Sequence, residues 1–254
     1  MKTDVLRIDK GKKKHLKDIV TDEVFLTIHV NEKELLTLLC SPDNLKELSA
    51  GFLFSAGLIN SLDDIENIFL NAKNMTSHIT LKKKDIVEDA IFKRVYTSGC
   101  GRGMLFYNVL DLAHQKNVKK NSRIYSEKIL KLMKAFEKKS TTYKKTGGVH
   151  CAALCDEENI LAFCEDIGRH NAIDKVIGDI LYKNLNMEEL IVLTSGRISS
   201  EVMFKVQKMG SCVIISRGAP TGLAVQLADK WNITLIGFVR DHRMNVYTVK
   251  ERVL

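Results

Sequence analysis

The sequence predicts an α/β fold built on a largely parallel sheet, preceded by a smaller N-terminal α+β unit. Three observations lead there. From Thr146 onward, short apolar runs each end in a small, polar, arginine-containing loop that leads into an amphipathic helix. Ahead of that, alternating strands and one amphipathic helix of different texture fill residues 15–96, and the second unit is placed at 97–254. The chain has 254 residues, 45% of them apolar, with only 2 prolines, enough to bury a substantial core. That composition excludes a disordered or collagen-like chain, and no apolar run approaches the roughly eighteen residues of a membrane-spanning helix.

The elements follow in order. Glu23–Val30 alternates like a strand, Asn31-Glu32-Lys33 turns it, and Glu34–Cys40 returns, so a hairpin is expected to open the fold. Pro42 is expected at the first position of a helix that carries Leu45, Leu48, Phe52 and Ala56 at helical spacing. A second short helix over Leu62–Ile68 and strands at Ser77–Lys82 and Ala90–Tyr96 complete the first unit. The glycine-rich stretch TSGCGRG (97–103) precedes an apolar helical pattern at Met104–Leu112. Thereafter Ile160–Cys164, Leu190–Leu193, Cys212–Ile215 and Ile233–Val239 read as strands, each ending in an arginine-bearing loop. Crossover helices would return those loops to the carboxyl edge of the sheet, where open α/β sheets bind ligands.

Charge is local. Residues 117–145 hold 10 basic and 2 acidic side chains, whereas residues 1–116 (17 against 16) and 146–254 (12 against 13) are balanced. In that basic segment Ile129, Leu132, Met133 and Phe136 share one helical face, which describes a solvated surface helix better than a nucleic-acid patch, because stacking aromatics are sparse. The N-terminus has no apolar run between its charges, so a soluble, cytoplasmic protein with no membrane partner is expected. The six cysteines (40, 100, 151, 155, 164 and 212) do not suggest a disulfide scaffold, and most of them fit buried small hydrophobes.

Two features carry chemistry. Arg169, Arg197, Arg217, Arg240 and Arg243 fall in successive loops with Gly168, Gly196, Gly218 and Gly222 beside them. Guanidinium forks and exposed backbone N–H groups suit phosphate. Neither GxGxxG nor GxxxxGK[ST] occurs in these loops, so side chains from several loops would hold the anion. Cys100 is flanked by glycines, lies two residues from Arg102 and precedes the expected helix, all of which favour a thiolate. Cys151, Cys155 and Cys164 with His150 or His170 lack zinc-knuckle spacing, and no structural metal is expected. The Glu165-Asp166 pair reads as a helix N-cap with a first-turn carboxylate.

TGGVHCAALCD (146–156), EDIGRHNAIDKVIG (165–178), LTSGRISSEVMFKV (193–206) and SRGAPTGLAVQLA (216–228) resemble the formate dehydrogenase accessory proteins, FdhD-type sulfur carriers, as does VNEKELLTLLCSPDNLKELSAGFLFSAGLI (30–59). The resemblance implies a cytidine-deaminase-like three-layer domain without its zinc. It implies a sulfurtransferase that accepts persulfide sulfur from a cysteine desulfurase and passes it to the molybdenum or tungsten of a bis(molybdopterin guanine dinucleotide) cofactor for formate dehydrogenase. Cys100 would carry the sulfur. The cofactor, or a GDP-like nucleotide in its place, would be bound as substrate by Phe238, Val239, Arg240, Asp241, His242 and Arg243, with Arg169, His170, Ser195, Gly196, Arg197, Arg217, Gly218 and Thr221 around it. The chain departs from the family's common C-x-x-C loop, with Gly103 where a second cysteine would stand, so Cys100 must act alone. A cofactor chaperone that carries no sulfur, and an RNA-binding protein using residues 117–145, are the alternatives, and a homodimer is left open.

Overall fold

The computed structural model describes residues 1–83, 95–96, 104–105, 118 and 123–254. The chain opens with the antiparallel pair β1 (Lys2–Asp9) and β2 (Lys12–Ile19), turned at Lys10-Gly11 with both residues at positive φ (48° and 80°). The expected hairpin is present as β3 (Val24–Val30) and β4 (Lys33–Cys40), but it is the second in the chain. The first escapes a pattern search because most of its side chains are exposed and no face shows apolar alternation.

β3 and β4 join β5 (Ile65–Asn71) and β6 (Thr76–Leu81) in a four-stranded sheet of order β4-β3-β6-β5. Helix α1 (Leu45–Ser55) buries Leu45, Leu48 and Phe52 as its spacing requires. Its N-cap is Asn44, in a left-handed conformation, so Pro42 lies ahead of the helix rather than at its first position. The helix expected over Leu62–Ile68 shrinks to one 3-10 turn, Leu62–Asp64, closed by Ser61 and Asp64 in a reciprocal cap. Beyond it β5 pairs with β6, and strand pairing overrides the local helical spacing. Val95–Tyr96 (β7) pairs antiparallel with Met104–Leu105 (β8), so the expected helix does not begin at Met104. The rest of that expected helix, most of the Ala90–Tyr96 strand and the Cys100 loop lie outside the described residues.

The basic segment forms α2 (Ser126–Lys139) and α3 (Thr141–Thr146). Ile129, Leu132, Met133 and Phe136 are buried, while Lys128 projects to Glu157 and Glu158 at 2.9 and 2.8 Å. Next come β9 (His150–Cys155), β10 (Ile160–Asp166), α4 (Arg169–Lys183), β11 (Ile191–Thr194), α5 (Ser200–Met209), β12 (Val213–Ser216), α6 (Gly222–Lys230), β13 (Thr234–Arg240) and β14 (Arg243–Val246).

Their strands form one sheet of order β10-β9-β11-β12-β13-β14. It is mixed rather than largely parallel: only β11–β12 and β12–β13 are parallel, and the other three pairings are antiparallel. The short connections 156–159 and Asp241-His242 cannot cross over a sheet, so they close hairpins. Even so, β10 and β11 each run against β9, which gives β10, β11, β12 and β13 one common direction. All four arginine-bearing loops therefore emerge at the same edge.

The four-stranded sheet is tied to the six-stranded one through α1 and α4. A Cβ at Gly51 would lie 1.8 Å from the Asp174 carbonyl oxygen, and one at Gly178 would lie 1.9 Å from that of Glu47, so the two helix backbones touch. Two buried ion pairs flank the crossing. Lys175 meets Asp166 at 2.7 Å, and Lys205 meets Asp174. Asp166 also accepts the Ser41 backbone N–H at 3.0 Å, and Asp174 accepts the Ser55 hydroxyl at 2.6 Å, so each carboxylate bonds to the N-terminal unit as well.

Candidate functional site: a cationic rim on the six-stranded sheet

At the common edge each strand end is held by its neighbour. The Thr194 carbonyl accepts the Arg217 N–H, the Ala219 carbonyl accepts the Ile198 N–H, and the Gly218 carbonyl accepts the Phe238 N–H. Ser216 Oγ donates to the Gly196 carbonyl at 2.6 Å and accepts from the Gly218 N–H at 2.8 Å. The glycines are required by contact. A Cβ at Gly196 would sit 2.9 Å from Arg169 Cβ, and one at Gly218 would sit 2.7 Å from the Gly196 oxygen. Successive loops therefore stack backbone on backbone, which brings Arg169, Arg197 and Arg217 onto one rim. From β10 to β13 the rim crosses four strand gaps, roughly 19 Å at about 4.8 Å each.

The arginines differ in their engagements. Arg197 is exposed. Arg217 is half-exposed and reaches Glu137 on α2 at 2.8 Å. Arg240 donates through Nη1 to the Arg217 carbonyl at 2.8 Å and to its own neighbour Val239 at 2.7 Å, so it braces the next loop. Arg243 faces solvent opposite Arg240, across the exposed turn Asp241-His242. Arg169 opens α4, and its Nε is buried with no hydrogen-bond partner among the described residues. The Ser199 hydroxyl ahead of α5 is buried and unpartnered in the same way. A buried donor without an acceptor is costly, and an anion at the rim would supply the acceptor.

Phe238 is exposed and holds φ at 52°, a strained conformation for an aromatic residue, at the bulge where β13 slips against β14, while Val239 beside it is buried. Thr221 caps α6 by accepting the Ala224 N–H at 3.3 Å. Ser195 Oγ accepts the Cys151 N–H at 2.9 Å and lies 3.3 Å from His150 Nδ1. Burial, Lys205, Arg169 and His150 hold the His170 imidazole neutral, with its pKa down at about 3. Its contact with Glu201 at 3.0 Å is thus a neutral ring beside a carboxyl, whose own pKa burial raises. His150, Glu137 and Glu201 also stand at the rim, though no local pattern marks them as rim residues. His150 begins β9, which runs opposite to the arginine-bearing strands, and only the strand order reveals that it meets them.

Glu165 and Asp166 both end β10, and neither caps α4, whose N-cap is Gly168. Glu165 accepts the Thr142 and Tyr143 N–H groups, and Asp166 serves the buried pair with Lys175. Cys40, Cys151, Cys155, Cys164 and Cys212 are free and buried. Burial pushes the Cys40, Cys151 and Cys164 thiols up to about 12 and raises Cys155 further, which leaves them poor nucleophiles. Among the described residues, no group of three His, Cys, Asp or Glu side chains could hold a metal ion. Cys100 lies outside the described residues, in the sequence between β7 and β8.

Fold and rim together define an α/β protein that collects guanidinium groups and tight glycine loops along one sheet edge. The FdhD/NarQ family matches residues 21–254, and the chain belongs to that family. It is 40% identical over 251 residues to the sulfur carrier protein FdhD of Bacillus subtilis, covering 98% of this chain and 96% of that one. It is 37% identical over 252 residues to the protein of the same name from Staphylococcus aureus, covering 98% and 95%. The fold matches a crystal structure of a candidate formate dehydrogenase accessory protein from Desulfotalea psychrophila with a TM-score of 0.79 at 24% identity, over 100% of this chain and 99% of that one.

Proposed function

We propose that this protein is a sulfur carrier that equips the cofactor of formate dehydrogenase. In the first step the Cys100 thiolate attacks the outer sulfur of a cysteine desulfurase persulfide. The donor S–S bond breaks, a new S–S bond forms on Cys100, and the donor leaves as thiolate. In the second step the S–S bond on Cys100 breaks and its outer sulfur would pass as sulfide to the molybdenum or tungsten of the guanine dinucleotide cofactor bound as substrate; two cellular thiols supply the two electrons by joining as a disulfide, and Cys100 is left as thiolate. The six-stranded sheet and its helices would be the cytidine-deaminase-like layer that presents this cofactor, and the cytoplasm is the compartment where donor and acceptor meet.

The observation that carries this reading is the rim itself. Arg169 and Ser199 present buried donors that have no acceptor among the described residues, and Arg197 and Arg217 stand beside them on glycine-spaced loops. Such a site suits the diphosphate of a guanine dinucleotide. Five of the six cysteines are buried, four of them with raised pKa, which leaves the transfer chemistry to Cys100. No helix among the described residues is long and apolar enough to cross a membrane.

The test is intact-mass spectrometry after incubation with desulfurase and cysteine. One added sulfur, mapped to the Cys100 peptide and lost in Cys100→Ser, is expected, together with loss of formate dehydrogenase activity in a Cys100→Ser strain. Active dehydrogenase in that strain would refute the role. A rim that binds GDP in a protein that never gains sulfur would instead indicate a cofactor chaperone.

A further inference from the structure

His150 enters the rim from the strand that runs against the arginine-bearing ones. Its ring lies within the electrostatic reach of Arg169 from the first turn of α4, Arg197 from the loop after β11, and Asp166 at the end of β10. His170, the next residue along α4, is the other imidazole within range. The Ser195 hydroxyl stands 3.3 Å from His150 Nδ1 while its oxygen accepts the Cys151 N–H at 2.9 Å. A hydroxyl oxygen has two lone pairs and one proton. It can donate to Nδ1 when the ring is neutral, or accept from Nδ1–H when the ring is charged. Ser195 is thus compatible with both protonation states without rearrangement of the backbone.

We propose that His150 is a proton-coupled anion ligand: it gains a proton from solvent when a diphosphate settles on the rim beside Arg169 and Arg197, and releases it when the ligand leaves. This inference rests on the rim being the nucleotide site. With the rim empty, burial and then the two guanidinium charges oppose an imidazolium, and Asp166 only partly offsets them. A diphosphate brings two negative charges that cancel the guanidinium field, and Nε2–H of the charged ring becomes one more charge-assisted donor to it. By linkage, a ligand that prefers the protonated form binds more tightly as pH falls, with affinity changing by up to tenfold per pH unit between the free and bound midpoints of the ring.

The probe is GDP-mannose, a guanosine diphosphate ester whose phosphates do not themselves titrate near neutrality, as the terminal phosphate of GDP would. Calorimetry of the full-length protein between pH 8 and pH 6, in buffers of different ionisation enthalpy, is expected to show several-fold to tenfold tighter binding at the acid end and uptake of up to one proton. His150→Gln, which retains a hydrogen-bonding group for Ser195, is expected to lose both the slope and the uptake. Should that variant fold poorly, the wild-type protein labelled with nitrogen-15 in histidine gives the same answer: the titration midpoint of the His150 ring should rise when the ligand is added. Binding that is independent of pH, a slope that survives in His150→Gln, or an unmoved midpoint would each overturn the inference and leave the nucleotide site standing. No binding at any pH would overturn the nucleotide reading as well.

Discussion

The guanidinium groups of the rim share a type but not an environment, and their neighbours set what each contributes. Arg217 is the informative one, because Glu137 holds it at 2.8 Å on a half-exposed surface. On the proposed nucleotide site, an incoming phosphate would compete with that carboxylate. Arg217→Ala is expected to weaken GDP binding about 10- to 100-fold, the usual worth of a hydrogen bond to a charged group, about 1.5–3 kcal/mol. Glu137→Gln should act in the opposite direction and tighten binding up to about fivefold, since an exposed ion pair is worth at most about 1 kcal/mol. Calorimetry with GDP on both variants checks the pair, and equal weakening in the two would remove Arg217 from the site. His170 gives a pH prediction. Its folded pKa, about 3, is below the unfolded value near 6.5, so the unfolded chain binds more protons between those limits. Stability contributed by the neutral ring is therefore lost as pH falls from about 6.5 toward 3, with a slope of up to ~1.4 kcal/mol per unit. His170→Gln should flatten urea-unfolding stability over that window, and an unchanged slope would show that another group causes the acid lability.

At the level of elements, much of the fold could be read from local pattern and some of it could not. The β3–β4 hairpin, α1 and α2 were legible because each buries one face and leaves a matching period of apolar residues. The β1–β2 ribbon was not, because a hairpin exposed on most of both faces has no such signal. The start of β5 is ambiguous in sequence, since Ile65 and Ile68 have the three-residue spacing of a helix, and only pairing with β6 makes it a strand. The crossing of α1 and α4 is set by Gly51 and Gly178, each against a carbonyl oxygen of the facing helix. Gly51→Ala has no space for its methyl group and must push the helices apart, costing about 1–3 kcal/mol or more. For a chain of this size that is expected to lower Tm by about 3–10 °C. Thermal unfolding of Gly51→Ala beside Gly57→Ala is a fair comparison, since a Cβ at Gly57 meets nothing within 4 Å but sits at a φ of 74°, so that only backbone strain acts there.

Across the whole molecule, the buried pairs Asp166–Lys175 and Asp174–Lys205 couple the N-terminal unit to the base of the rim. Burial raises the Asp174 pKa, and the Lys205 charge opposes that rise, so the carboxylate depends on its lysine. Lys205→Met should cost about 3–5 kcal/mol by leaving that carboxylate uncompensated, while adding Asp174→Leu should recover part of the loss. Chemical denaturation of the single and double variants tests this; a double variant no more stable than the single would mean that Asp174 is kept for its bond to Ser55 rather than for its charge.

The sequence by itself determined which residues could bind an anion and where along the chain each would fall, because glycine next to arginine after an apolar run is a local property. It also pointed to burial for most of the cysteines, since they sit in or at the ends of apolar stretches. Only the tertiary structure decided that the sheet is mixed, that Glu165 and Asp166 serve the scaffold rather than a helix cap, and that His150 stands among the rim arginines. Those outcomes depend on which strand lies beside which, and strand order is set by long-range packing between residues far apart in the chain, not by any pattern within one element.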